Sequence, residues 1–305
     1  MTIRPLDLLD LPTIARYRND VLTLDTSRAL TRGHPLGAMG LLAYVNPARH
    51  LYAATSNGDG STLLGGVIHT RGETFAKLLY LAPSSKLNDP RLPELIEHLA
   101  AQAGEWHAFH VIAEVNETSD VFPALRTAGF SVYAWQRIWD VSRIQKTESG
   151  SGQDWRRVQA LNLPGVQNLH YQIVPPLLHP IDPAPAKPGG LIHNDGRSFA
   201  HVNYGAYGIM LTPLIPPDEG DVNGKLLSLV SNLTDRRGRS LYLNVRSYQA
   251  WLEPALEDLG AKAAPRQAVM VKHLARLVKE TQPARVPPSN ARIQPTQMSR
   301  MKSDE

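Results

Sequence analysis

The sequence predicts an α/β fold in which one unit is used twice. Three observations carry this reading. Residues 77–136 overlay residues 208–267 without a gap at an offset of 131: Pro123, Ala124, Leu125 and Gly129 fall on Pro254, Ala255, Leu256 and Gly260, Leu95 on Leu226, and Gln136 on Gln267. A fixed-offset echo is sought first, because missing it mis-assigns the whole fold. Both stretches also run in the same order: apolar strand, helix, strand, then a helix closed by glycine. Finally, 305 residues with 42% hydrophobic and 20% charged content can build two cores of ordinary size.

The elements follow in order. Residues 2–5 read as an opening strand. Asp10 before Leu11-Pro12 signals a helix start, with Leu11, Ile14, Tyr17 and Leu22 on one face. A second helix is expected over residues 36–45, after Gly33-His34-Pro35. Residues 50–56, 62–70 and 75–82 read as a three-stranded antiparallel meander, turned by Asn57-Gly58-Asp59-Gly60 and Arg71-Gly72-Glu73. Gly65-Gly66 in the middle strand predicts a bulge or a close approach. Leu92, Leu95, Ile96 and Leu99 define a helix over residues 90–104. A strand over 109–115 follows. Ser119 then caps a helix running to Ala128, with Gly129 where positive φ is cheap. Residues 130–141, aromatic and β-branched, form one or two closing strands.

Residues 144–154 read as an exposed linker. The first unit is thus residues 1–143 and the second 155–280. Trp155, Val158 and Leu161 suggest that a helix opens the second unit at Asp154. The prolines at 175, 176, 180, 183, 185 and 188 exclude helix or central strand there. Residues 191–193 and 197–203 form a hairpin about Asn194-Asp195-Gly196. Residues 207–214, 224–232, 240–245, 248–259 and 267–277 then repeat the strand, helix, strand, helix and closing strands of the first unit. Residues 281–305 are Pro-, Gln-, Arg- and Ser-rich and are expected to be a disordered basic tail.

Composition limits the chemistry. With no Cys, disulfides, thiolate nucleophiles and Cys-bound metals are excluded. The eleven His carry no H-E-x-x-H spacing, and no metal site is expected. Of the net charge of +4, a net +2 sits in Arg285, Arg292, Arg300, Lys302, Asp304 and Glu305. The remainder is too small to predict a nucleic-acid face. Met1-Thr2-Ile3-Arg4-Pro5 reads as no signal peptide, and no apolar run has the length of a membrane span. A cytoplasmic protein without nucleic-acid or membrane partners is expected.

Around Leu79-Tyr80-Leu81-Ala82-Pro83, and again at Leu125-Arg126-Thr127-Ala128-Gly129-Phe130, the sequence resembles the GNAT family of N-acetyltransferases. The resemblance covers residues 1–280 and implies two tandem GNAT-like units, each a mixed twisted sheet flanked by helices. It implies acetyl-CoA as co-substrate, lying where the third meander strand and the strand after the helix splay apart. Leu81 would hold the pantetheine by its backbone. Pro83, Ser84, Ser85 and Lys86, and in the second unit Gly220 and Gly224, would hold the pyrophosphate at a helix N-terminus. Asn116 stands where the family commonly has an Asn near the cofactor. Glu114 and Glu73 are candidate bases and Tyr133 a candidate acid.

The sequence departs from the family in the loop itself. The family's P-x-x-R-G-x-G-x-G/A becomes Pro83-Ser84-Ser85-Lys86-Leu87-Asn88-Asp89-Pro90-Arg91, with side chains where glycines belong. In the second unit, Asp218, Glu219 and Asp221 repel an anion. The family's usual acidic Tyr is replaced by Leu125 and Leu256. Two functions therefore stand. One is a transferase moving an acetyl group to a primary amine of a small molecule or peptide, with the first unit preferred as its site. The other is a non-catalytic GNAT-like module. In either case the chain is expected to be a monomer, its units forming an intramolecular pseudo-dimer.

Overall fold

The computed structural model describes residues 2–7, 10–37, 49–58, 61–144, 154–233 and 236–274. The expected 36–45 helix, the 144–154 linker and the basic tail fall largely or wholly outside this set. The strands are β1 Thr2–Pro5, β2 Leu22–Thr23, β3 Arg49–Gly58, β4 Ser61–Thr70, β5 Phe75–Ala82, β6 His110–Asn116, β7 Ser131–Asp140, β8 Trp155–Arg157, β9 Leu191–His193, β10 Phe199–Tyr204, β11 Gly208–Leu214, β12 Ser240–Arg246, β13 Lys262–Ala263 and β14 Gln267–His273. The helices are α1 Leu11–Tyr17, α2 Thr26–Arg32, α3 Leu92–Glu105, α4 Phe122–Thr127, α5 Leu163–Ile173, α6 Val222–Asn232 and α7 Leu252–Asp258.

Among the described residues these strands make one mixed sheet in the order β1-β3-β4-β5-β6-β14-β7-β12-β11-β10-β9-β8. The two parallel contacts, β5 with β6 and β11 with β12, mark equivalent places in the two halves. In both a helix makes the connection, α3 in the first and α6 in the second, as parallel neighbours need a crossover. One sheet face is covered by α3 and α4 over Leu95, Ile96, Leu99 and Leu125, and by α6 and α7 over Leu226, Leu229, Leu252 and Leu256, all with no exposed surface. On the other face α1 buries Ile14 with Leu64 and Ile68, and α5 buries Val166 with Ile112 and Val269.

The closing strands are exchanged between halves. β14, the last strand of the second half, inserts between β6 and β7 of the first. β7 pairs with β14 through its N-terminal part and with β12 and β13 through its C-terminal part. The pairing Ser131 with Val271 is echoed by Lys262 with Asp140, each residue displaced by the offset of 131. Gln136 and Gln267, the residues that the offset equates, face each other, and the Gln136 amide donates to Gln267 Oε1 at 3.1 Å in the buried centre. A residue that meets its own equivalent marks an approximate two-fold relation.

Several expectations need correction. Leu22 lies in strand β2, not on the α1 face, and α2 follows at once. The Asp10 carboxylate does not cap α1; the Arg4 guanidinium holds it through two hydrogen bonds of 2.7 Å. Trp155 opens strand β8, paired with β9, and the helix waits until Leu163. Ser119 precedes α4, whose N-cap is Val121. The Gly65-Gly66 expectation holds in both forms. The β4–β5 register slips between Gly66 and Val67, and a Cβ on Gly66 would lie 2.5 Å from the Tyr80 ring.

Candidate cofactor clefts

Parallel pairing of β5 with β6 ends at Lys77 and Ile112, beyond which the strands part. The gap is filled by the chain itself. β2 pairs with the open edge of β5, Leu22 against Leu81 and Thr23 against Tyr80. The Leu24 N–H donates to Leu79 O at 2.9 Å, and the Glu114 N–H donates to Leu24 O at 2.8 Å. Leu79 is the extra residue of the bulge, so its carbonyl is turned out of the β4 ladder and toward β2. Leu24, 1% exposed, sits in the core beneath α3.

The loop after β5 is filled in the same way. Ser84–Lys86 forms a single 3-10 turn. Its donors converge on Asp20: the Ser85 N–H at 3.1 Å and Ser85 Oγ at 2.8 Å, with Ser84 Oγ on the same carboxylate. The Ser84 N–H donates to the Asp20 carbonyl at 3.1 Å. An intramolecular carboxylate thus takes the donors that would meet a phosphate. These bonds, Ser84 first, hold the Asp20 carboxyl below its ordinary range against the opposing effect of burial. Nearer the helix, Asp89 pairs with Arg91 at 2.6 Å and accepts its N–H. Lys86 is exposed.

The second half closes differently. Parallel pairing of β11 with β12 ends at Leu211 and Leu243. The buried Gln249 side chain then takes the place of a strand: Ile215 N–H donates to its Oε1 at 3.2 Å, and its Nε2 donates to Pro213 O at 2.8 Å. At the start of α6, Asp221 accepts the Gly224 N–H at 2.8 Å. A Cβ on Gly224 would lie 2.1 Å from Asp221 Oδ2, so this glycine serves the helix cap. Gly220 faces open space. Lys225, 6% exposed, is matched by Asp195 and Glu219 at 2.5 Å each. Burial raises the Asp195 carboxyl, but the bonds from Lys225, Arg197 and His193 outweigh it and bring it down to about 2.

The remaining candidates are dispersed. Glu114 is buried and its Oε2 accepts the Thr26 N–H at 2.9 Å, capping α2. It lies 4.0 Å from Lys77, which also pairs with Asp25 at 3.4 Å. Burial would lower the Lys77 ammonium, yet these two carboxylates carry it upward. Glu73 sits exposed at the β4–β5 turn. The Tyr133 hydroxyl is bonded to His273, on the far side of β7 and β14. The Asn116 side chain accepts from Gln267 at 3.1 Å. The residues that sequence reasoning missed are Asp20, Leu24 and Gln249. Gln249 and Asp20 are polar residues beside short irregular turns, a weak signal; Leu24 offered none.

The arrangement present does not fit acetyl-CoA. In the first half the strand edge and loop donors are engaged by residues 20–24, and in the second by Gln249 and Asp221. Among the described residues no group of three or more His, Asp or Glu is placed to hold a metal, and no helix is long and apolar enough to cross a membrane.

No family model matches the chain, and no curated protein sequence matches it. Solved structures do. A GCN5-related N-acetyltransferase from Sphaerobacter thermophilus aligns with a TM-score of 0.53 at 15% identity, over 89% of this chain and 95% of its own. A tandem GNAT protein from the clavulanic acid biosynthesis pathway gives 0.50 at 14% identity, over 90% and 99%. An acetyltransferase of Pyrococcus horikoshii, so described without assurance, gives 0.50 at 11%, over 90% and 89%. With both splayed strand pairs and the exchanged closing strands in view, the chain has the fold of the tandem GNAT acetyltransferases.

Proposed function

We propose that this chain is a GNAT-fold ligand-binding module in which residues of the protein occupy the positions of acetyl-CoA. The observation that carries the reading is the placement of β2 and Leu24 between β5 and β6 and of Asp20 against the turn after β5. A strand edge already paired and a loop whose serine donors already hold a carboxylate leave a cofactor without the groups that would grip it. The second half adds a buried amide in the equivalent gap and three acids, Asp218, Glu219 and Asp221, near the helix start. Fold alone does not oppose this, because function resides in the site. The test is thermal denaturation with millimolar CoA or acetyl-CoA. A ligand bound only by the native state raises the Tm, so an unchanged Tm is expected, with no CoA release from acetyl-CoA in the presence of primary amines.

A second reading is favoured by the correspondence over 89–90% of the chain with proteins described as acetyltransferases. On it the protein moves an acetyl group from acetyl-CoA to a primary amine of a small molecule or peptide, and residues 20–24 must first leave the cleft. Acetyl-CoA would then raise the Tm, Asp20→Ala would enlarge the rise, and Lys86→Glu would abolish it. On both readings the protein acts as a monomer.

A further inference from the structure

A cavity of about 290 Å³ lies between the halves. Its wall comprises α2, the near ends of β3, β4 and β5, and strand β10 of the second half. The spacing in Thr26-Ser27-Arg28-Ala29-Leu30-Thr31-Arg32 puts Arg28 and Arg32 one turn apart on one helix face. Arg49, the first residue of β3, joins them, and all three guanidiniums border the cavity with Lys77. Like charges at this spacing destabilise a helix, so their convergence calls for a counter-charge.

The acids at hand answer this only in part. Asp25 accepts the Arg28 N–H at 3.2 Å and pairs with Lys77. Glu114 caps α2 and faces Lys77. Glu73 stands at the mouth, where burial raises its carboxyl and Lys77 and Arg49 oppose that rise without a contact inside 4.0 Å. Among the described residues no carboxylate lies within 4.0 Å of the Arg28, Arg32 or Arg49 guanidinium. Burial lowers both Arg28 and Arg32 from the ordinary arginine range; Arg49 adds to this in each, and Asp25 opposes it. The helix has no freedom to turn the charges away. The Tyr207 N–H donates to Thr31 O at 2.9 Å, and a Cβ on Gly205 would lie 2.0 Å from that oxygen.

We infer that this cavity binds a small oxyanion, a carboxylate or phosphate group gripped by Arg28, Arg32 and Arg49. Arginine forks match both groups, which fit a cavity at the small end of ligand sites. The inference rests on the module reading and names its ligand class. Because the wall draws on both halves, the site belongs to neither alone.

The test is isothermal titration calorimetry with inorganic phosphate and, separately, succinate, at constant ionic strength set by chloride. At least one anion is expected to bind in the millimolar range or tighter, and the stronger of the two assigns the group. Arg32→Gln and Arg49→Gln should each weaken it about tenfold, the equivalent of one charge-assisted hydrogen bond. Arg156→Gln, at an exposed position of β8, should leave it unchanged. Without anion, Arg49→Gln should raise the Tm by relieving repulsion, a sign that a structural role would not give. Binding of neither anion, or binding that both substitutions leave unchanged, overturns the site. An acetyl-CoA shift that persists in Arg32→Gln and Arg49→Gln would instead overturn the module reading while leaving the anion result to stand.

Discussion

Asp20 contributes to stability through its ionised form, and the sign of its pH dependence follows. Its folded value lies below the ordinary aspartate value, about 3.9 in an unfolded chain. The stabilisation is therefore full above that value and is lost as pH falls through the folded one. Asp20→Asn should lower the Tm at pH 7 by the equivalent of about 1 kcal/mol, as for a lost helix cap in partial solvent. Asp195 behaves likewise in the second half, with its window between about 3.9 and about 2. The Tm difference between Asp195→Asn and the parent protein should close over that interval in acid scans. Gln249→Ala strands a buried donor at Ile215 and an acceptor at Pro213, and should cost about 1–3 kcal/mol in urea denaturation. A loss below a few tenths would mean that water replaces the amide at both groups; the Trp251 indole, which donates to Ile215 O at 3.3 Å, cannot accept the stranded N–H.

Elements differ sharply in how far the sequence announces them. The β3–β4–β5 meander and α3 could be read because their apolar periods run for many residues. The glycines closing α4 and α7 could be read because both need positive φ, 83° at Gly129 and 74° at Gly260. β2 could not: two residues have no period, and its partners are Leu81 and Tyr80, nearly sixty positions away. Trp155, Val158 and Leu161 imitate a helical face, yet Trp155 is fixed as strand by β9 and by its indole bond to Ser228 at 3.0 Å. The candidate site was legible as loops and not as occupancy. Ser84 and Ser85 hold the Asp20 carboxylate, and nothing in the residues around them points to a partner some sixty-four positions away. β2 carries a prediction at its own scale. Leu24→Ala removes a fully packed side chain beneath α3 and should cost about 2–5 kcal/mol, far more than plugging an optional gap would.

At the scale of the molecule, the repeat seen in the sequence is realised as interdependence. Among the described residues β6 and β7 of the first half pair with β14 of the second and not with each other, and β12 completes its sheet on β7. Residues 1–143 expressed alone should be insoluble or unfolded by circular dichroism, and co-expression with residues 144–305 should recover a folded complex. A soluble, cooperatively melting first half would contradict the exchange. The same exchange bears on biosynthesis. Asp140 ends β7 and His273 ends β14, 133 residues later. At about 5–20 residues per second of translation, roughly 7–27 s separate their emergence. Throughout that interval the facing edges of β6 and β7 wait unpaired in the nascent chain, open to mispairing for far longer than the edges in a pair of self-contained domains.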